Sequence, residues 1–120
     1  MDPDVIRELF VSFGAVQVRR LFGGAGLFAD SVMFGLVSGG QIYLKADAAT
    51  APAFEREGCV PFEYGTKKGR RAVMSYWRLP DRIYDDPDEL ARWARQALAV
   101  AQRKATAKPK ARARKTRKER

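Results

Sequence analysis

Residues 17–46 alternate between apolar segments and short turn signals, a pattern typical of an antiparallel β-meander. The segments VRRLFGGAGLFA, VMFGLV and QIYLKA are separated by Asp30-Ser31 and by Gly39-Gly40. Apolar residues recur at every second position of the later segments, as a half-buried strand requires. Gly39-Gly40 suits a two-residue hairpin turn because glycine enters positive φ without strain. We predict a three-strand meander over this range.

Helical patterns flank the meander. Asp2 and Pro3 predict the start of a short first helix that Gly14 ends. Asp47 or Thr50 predicts the cap of a second helix through Phe54.

The last helix has the clearest signal of the three. Asp86 is the predicted cap, Pro87 takes the first position, and Glu89 completes a capping box. Apolar residues then follow from Leu90 to Ala101 at helical spacing, so the helix needs a surface to lie on.

A second hairpin is predicted between the last two helices, formed by VPFEYG, the turn TKKGRR and AVMSYWRLP. The resulting order is α-β-β-β-α-β-β-α. We therefore predict an α+β domain in two layers, with helices packed on an antiparallel sheet.

Gly23, Gly24 and Gly26 follow two arginines, and such a stretch could be a phosphate-binding loop. Dinucleotide and Walker loops open a helix, however, whereas strand-like sequence follows these glycines. A bend in a strand, or a close approach of another backbone, is the interpretation that the residues favour.

The net charge of +9 is confined to one end of the chain. Residues 1–102 hold 13 basic and 13 acidic residues, whereas residues 103–120 hold ten basic residues and Glu119. We predict a folded domain over 1–102 and a disordered basic tail over 103–120, because the tail has no apolar periodicity. Its cations favour sequence-independent nucleic-acid binding, although a solubility tail would have the same composition. They are Arg103, Lys104, Lys108, Lys110, Arg112, Arg114, Lys115, Arg117, Lys118 and Arg120.

The turn of the second hairpin carries four further cations: Lys67, Lys68, Arg70 and Arg71. They are candidate phosphate contacts, with the aromatic residues of the same hairpin close enough to support a base. The alternative is a solvated hairpin tip whose charges discourage edge pairing, and the zero net charge of residues 1–102 favours that alternative.

The chain contains no histidine and one cysteine, Cys59. Histidine-dependent catalytic triads, zinc sites of Cys and His, and internal disulfides are thereby excluded within this sequence. The acidic pairs near Asp86 are explained by helix capping. We therefore predict no enzyme, no catalytic residue, no cofactor and no metal.

The first residues are acidic where a signal peptide would be basic, and no apolar run approaches the length of a membrane span. We expect a cytoplasmic protein without a membrane partner.

Five segments together resemble the N-terminal domain of the TfoX/Sxy family of bacterial competence regulators: RRLFGGAGLFADSVMFGLV, IYLKAD, FEYG, AVMSYWRLP and DPDELARWARQAL. The resemblance covers residues 4–100 and implies an α+β fold with an antiparallel sheet. It also implies regulation: full-length members promote transcription of DNA-uptake genes together with the cyclic-AMP receptor protein. Those regulators carry a second, helical C-terminal domain, whereas here a basic segment follows the matched region.

The sequence thus favours a non-enzymatic accessory protein whose folded body docks on a partner while the tail supplies non-specific nucleic-acid affinity. A transcription regulator or an RNA polymerase-associated protein is the expected protein partner. The alternative is a purely protein-binding module, with a homodimer through an exposed sheet face among its forms and the tail aiding solubility only.

Overall fold

The computed structural model describes the backbone of residues 1–21 and 23–118, and the side chains of residues 1–21, 23–65 and 67–105. The elements are α1 (Pro3–Leu9), β1 (Gln17–Leu21), β2 (Gly24–Ala29), β3 (Val32–Ser38), β4 (Gln41–Lys45), α2 (Ala51–Arg56), β5 (Pro61–Thr66), β6 (Gly69–Arg78), a 3-10 turn (Asp81–Asp85) and α3 (Pro87–Lys118).

The predicted fold class is confirmed. The described strands form one sheet in the order β1-β2-β3-β4-β6-β5, and every neighbouring pair is antiparallel. The helices lie between and after the strands in the predicted α+β arrangement.

The first predicted strand is divided in two, so four strands precede α2. Gly23 has a φ of 79° and lies in the turn between β1 and β2. A side chain on Gly24 would overlap the backbone carbonyl oxygen of Val37 on β3. The predicted close backbone approach is thus found at Gly24, whereas the predicted bend within one strand is a hairpin turn at Gly23. Gly24 and Gly26 belong to β2, so a strand and not a helix is formed here.

The hydrophobic core lies between one face of the sheet and the helices. Phe10 and Phe34 meet edge to face at 5.8 Å, and Phe54 meets Trp93 of α3 in the same way at 4.9 Å. Strand residues such as Leu44 and Trp77 are buried on this side, together with Leu90, Ala94, Ala97 and Ala101 of α3. The apolar stripe predicted for the last helix is thus the surface that covers the sheet.

The predicted caps of the first and last helices are confirmed at the backbone, whereas the Thr50 side chain makes no cap hydrogen bond to α2. The Asp4 N–H donates to Oδ1 of Asp2 at 2.9 Å, and the Glu89 N–H donates to Oδ1 of Asp86 at 3.1 Å. The carboxylate of Glu89 does not return to the cap as in a full capping box. It accepts hydrogen bonds from Arg82 and from Nε1 of Trp93 instead.

The backbone of α3 is helical through Lys118, beyond Gln102, where the sequence predicts the helix to give way to a disordered tail. Alanine, lysine and arginine, which dominate this stretch, have high helix propensities. The side chains from Thr106 onward lie outside the described residues. The division of the chain into a domain over 1–102 and a tail stays a prediction.

Within the described part of the chain, none of the helices has an apolar stretch that is long enough to span a bilayer.

Candidate nucleic-acid interface

Charge is separated between the two layers of the domain. The strands and the β5–β6 turn contain one acidic residue, Glu63, and eight basic residues. The rest of residues 1–102 contains twelve acidic and five basic residues. The basic residues of the sheet are Arg19, Arg20, Lys45, Lys67, Lys68, Arg70, Arg71 and Arg78. The zero net charge of the body therefore conceals basic strands and an acidic remainder, formed by the helices with their caps and the connecting loops, which we call the helical layer.

The helix-free face of the sheet, which we call the open face, carries part of this positive charge. The Arg19 guanidinium lies 4.8 Å from the ring centroid of Phe28, and Nζ of Lys45 lies 4.7 Å from that of Tyr76. Arg78, which lies opposite Tyr43 in the β4–β6 ladder, is ion-paired with Asp81 at 3.2 Å. The open face thus combines cations with aromatic rings.

The four cations predicted at the β5–β6 turn are exposed. Lys67 and Lys68 form the turn itself, and Arg70 and Arg71 begin β6. Arg71 lies opposite Tyr64, whereas Nε of Arg70 donates to a carboxylate oxygen of Glu63 at 3.1 Å. The structure brings all four residues to one end of the hairpin, next to an accessible aromatic ring.

The aromatic residues of the hairpin divide between the two faces of the sheet. The Phe62 ring meets Tyr43 edge to face at 5.0 Å and lies nearly parallel to the Tyr64 ring at 6.4 Å. Tyr64 is 45% exposed. Tyr76 is buried beside Met33, and this burial raises the pKa of its hydroxyl to about 12. Trp77 belongs to the core on the helix side, so Phe62 and Tyr64 are the more accessible rings of the hairpin on the open face.

A break in the pairing of β5 with β6 shapes the open face. Pro61 lies opposite Trp77, but the next residue, Phe62, lies opposite Val73. The three intervening residues of β6 have no partner on β5. The outer part of the hairpin therefore leaves the plane of the ladder.

A groove of about 840 Å³ lies where the hairpin bends toward the open face. Apolar and aromatic residues of both parts line it, and Arg70 and Glu63 stand among them. The main lining side chains are Leu21, Met33, Leu36, Phe62, Tyr64 and Tyr76. A groove of this size and lining matches the dimensions of ordinary small-molecule and base pockets.

The basic C-terminal segment begins on the body of the domain. Arg103 forms an ion pair with Asp47 at 3.0 Å, and this contact holds the pKa of the Asp47 carboxyl below its usual value. Lys104 is exposed. The side chains of the other eight predicted cations, from Lys108 to Arg120, lie outside the described residues. Arg103 thus fastens the helix to the domain, a role that the sequence did not indicate.

Sequence reasoning missed the cations of the open face outside the hairpin. Arg19 and Lys45 were counted toward a neutral body, because a sum over residues does not show which layer carries each charge. Strand alternation gave a partial signal, since it places Arg19 on the face opposite to Val18.

These features define a small α+β domain with a basic, aromatic open sheet face and a basic C-terminal extension. The chain belongs to the TfoX N-terminal domain family, whose model matches residues 8–101. The predicted resemblance is thereby confirmed.

Two characterised relatives match most of the chain. DNA transformation protein TfoX1 of Aliivibrio fischeri (strain ATCC 700601 / ES114) is 30% identical over 97 residues, which cover 78% of this chain and 46% of the relative. Protein Sxy of Escherichia coli (strain K12) is 28% identical over 95 residues, which cover 79% of this chain and 45% of the relative. The chain therefore spans less than half the length of either relative.

Proposed function

We propose that this protein is a non-enzymatic accessory protein of the competence-regulator type, whose basic C-terminal segment gives it sequence-independent affinity for nucleic acid. The observation that carries the proposal is the concentration of ten cations against one carboxylate in residues 103–120, directly after the part of α3 that packs on the sheet. Clustered lysine and arginine bind the phosphate backbone by releasing its counterions, whatever the base sequence. Family membership and a relative whose name refers to DNA transformation support the same interpretation.

The folded body docks on a protein partner in this proposal. Its helical layer is acidic and would repel a nucleic acid, so that layer is the natural surface for a transcription regulator or an RNA polymerase-associated protein. The helical layer would then hold a protein while the basic C-terminal segment holds a nucleic acid.

The test replaces the eight cations after Ala105 by glutamine in the full-length chain, a change that keeps the Arg103–Asp47 ion pair. Binding to a random-sequence duplex is measured by fluorescence anisotropy across a salt series. We expect weaker binding and a plot of log K against log salt that is shallower by up to about 7, since each lost phosphate contact removes roughly 0.9 from the slope.

Arg92→Gln is the matched control, because it removes an exposed cation of the helical layer. It should leave both the affinity and the slope unchanged. Equal duplex binding by the parent and the glutamine variant would instead support the purely protein-binding module, with the basic segment aiding solubility.

A further inference from the structure

We propose that the open face of the sheet binds single-stranded nucleic acid, with an unstacked base in the groove beside Tyr64 and with phosphates against the surrounding cations. The inference deepens the proposed function and rests on it, since both take nucleic acid as the partner. It adds a second site, on the folded domain, that distinguishes single strands from duplexes.

Charge complementarity selects a polyanion as the occupant of this face. Arg19, Lys45 and Arg71 lie on this face beside the aromatic residues Phe28, Tyr76 and Tyr64. Of the nearby carboxylates, Glu63 is paired with Arg70 and Asp81 with Arg78. The carboxylates of residues 1–102 other than Glu63 belong to the helices, the 3-10 turn, their caps and the connecting loops. A basic surface backed by an acidic layer orients an approaching polyanion toward the open face.

The aromatic rings select bases rather than phosphates alone. Tyr64 is 45% exposed and lies next to Phe62 on the same strand, with the two ring centroids 6.4 Å apart and the rings inclined by 24°. Arg71 lies directly across the ladder from Tyr64. A base stacked on Tyr64 would therefore have a guanidinium close by for the adjoining phosphate, which is the combination that single-strand binding proteins use.

The apolar lining of the groove favours a single strand over a duplex. The groove is lined by apolar side chains such as Leu36, Met33 and Phe62, and one unstacked base can fill part of its volume. The bases of a duplex remain stacked inside the helix, so a duplex could reach the cations but not the apolar lining.

The experiment compares the full-length protein with Tyr64→Leu and Tyr64→Phe. Fluorescent oligo-dT and oligo-rU of about twelve nucleotides, a length within the range of small single-strand sites, are titrated alongside a duplex of the same length. We expect Tyr64→Leu to weaken single-strand binding roughly five- to 100-fold, the loss that follows removal of one stacked base. Tyr64→Phe should retain binding, because the ring is preserved, and duplex binding should be the same in all three proteins.

Val11→Ser is the matched control, because it removes an exposed apolar side chain away from the sheet. Thermal melts of each variant establish that it is folded. A second pair of measurements is made in the variant whose eight cations after Ala105 are glutamine, with and without Tyr64→Leu. If that variant still binds single strands more tightly than duplexes, and Tyr64→Leu abolishes the difference, the sheet site is supported even when the basic segment does not bind nucleic acid.

Three results would overturn the inference. The first is an equal effect of Tyr64→Leu on single strands and duplexes, or no effect on either. The second is capture of phosphatidylglycerol vesicles that depends on Tyr64 as strongly as oligonucleotide binding does. The third is a dimer, seen by sedimentation, that Tyr64→Leu dissociates while single-strand binding is unchanged.

Discussion

Gly24 shows how one residue fixes the packing of two strands. Any side chain at this position would overlap the carbonyl oxygen of Val37, which belongs to the backbone of β3 and has no rotamer to change. The close approach of β2 to β3 therefore depends on the missing Cβ, and not on a positive φ at this glycine. Gly65 on β5 differs, because nothing lies within 4 Å of an added Cβ there.

We predict that Gly24→Ala destabilises the protein by about 1–3 kcal/mol, because the added methyl group forces the two strands apart as overpacking does. Gly65→Ala is the control and should change the free energy of unfolding by less than about 0.5 kcal/mol. Urea denaturation followed by circular dichroism measures both. Equal midpoints for the two variants would contradict the assigned role of Gly24.

Three elements meet at Arg82 in the 3-10 turn. Its guanidinium donates to the carboxylates of Glu57, just after α2, and of Glu89, in the first turn of α3, at distances of 2.7–3.0 Å. This bridge lowers the pKa of both carboxyl groups. Because all three groups are near the surface, the contribution of the bridge to stability is modest.

The Arg82 bridge should make part of the stability pH-dependent. A carboxyl group whose pKa is lowered by folding stabilises the native state above its unfolded pKa, and this gain is lost as the pH falls through the folded value. We predict that Arg82→Gln lowers the melting temperature by about 2–4 °C at pH 7. The difference from the parent protein should disappear well below the ordinary carboxyl pKa of 4.5.

Thermal melts at neutral and acidic pH test this bridge, with Arg20→Gln as the control for loss of one exposed cation on a different element. A difference between the parent and Arg82→Gln that persists unchanged in acid would show that the guanidinium acts by packing and not through the two carboxylates.

At the scale of the whole molecule, the domain is an electric dipole whose net charge is zero. The positive side is the sheet and the negative side is the helical layer, and the basic C-terminal segment continues from α3, which belongs to that layer. A polyanion would therefore approach the sheet, and a protein partner with a basic surface would approach the helical layer on the opposite side. Association with either should slow as salt screens the field over distances near 10 Å.

Local signals predicted much of the fold. The caps at Asp2 and Asp86 and the turn at Gly39-Gly40 depend on residues within a few positions of one another, so the sequence shows them directly. The family resemblance implied the same α+β fold class as the local signals. The family match over residues 8–101 confirmed the resemblance, and the observed strands and helices confirmed the fold class.

The candidate site was only partly predictable, because it depends on contacts between distant segments. The cations of the hairpin were named from the sequence, but their position beside Tyr64 and the groove follows from the pairing break between Pro61 and Phe62. The turn that splits the first predicted strand had one local signal, Gly23, which adopts a positive φ. The residues on both sides have strand-like sequences, so the sequence predicted one continuous strand. Whether the cations bind nucleic acid stays a prediction.

The pairing break also divides the sheet into parts that can open on different timescales. Beyond Phe62 the hairpin is joined to the rest of the ladder through β6, whereas Leu44 and Ile42 of β4 are fully buried under the helices. Amide protons of residues 62–73 should therefore exchange with deuterium by local opening, well before those of β3 and β4, which require global unfolding. If that separation of rates is measured, the side of the groove formed by β3 stays folded until the whole domain unfolds. The side formed by the β5–β6 hairpin then opens locally, and such opening would admit a base.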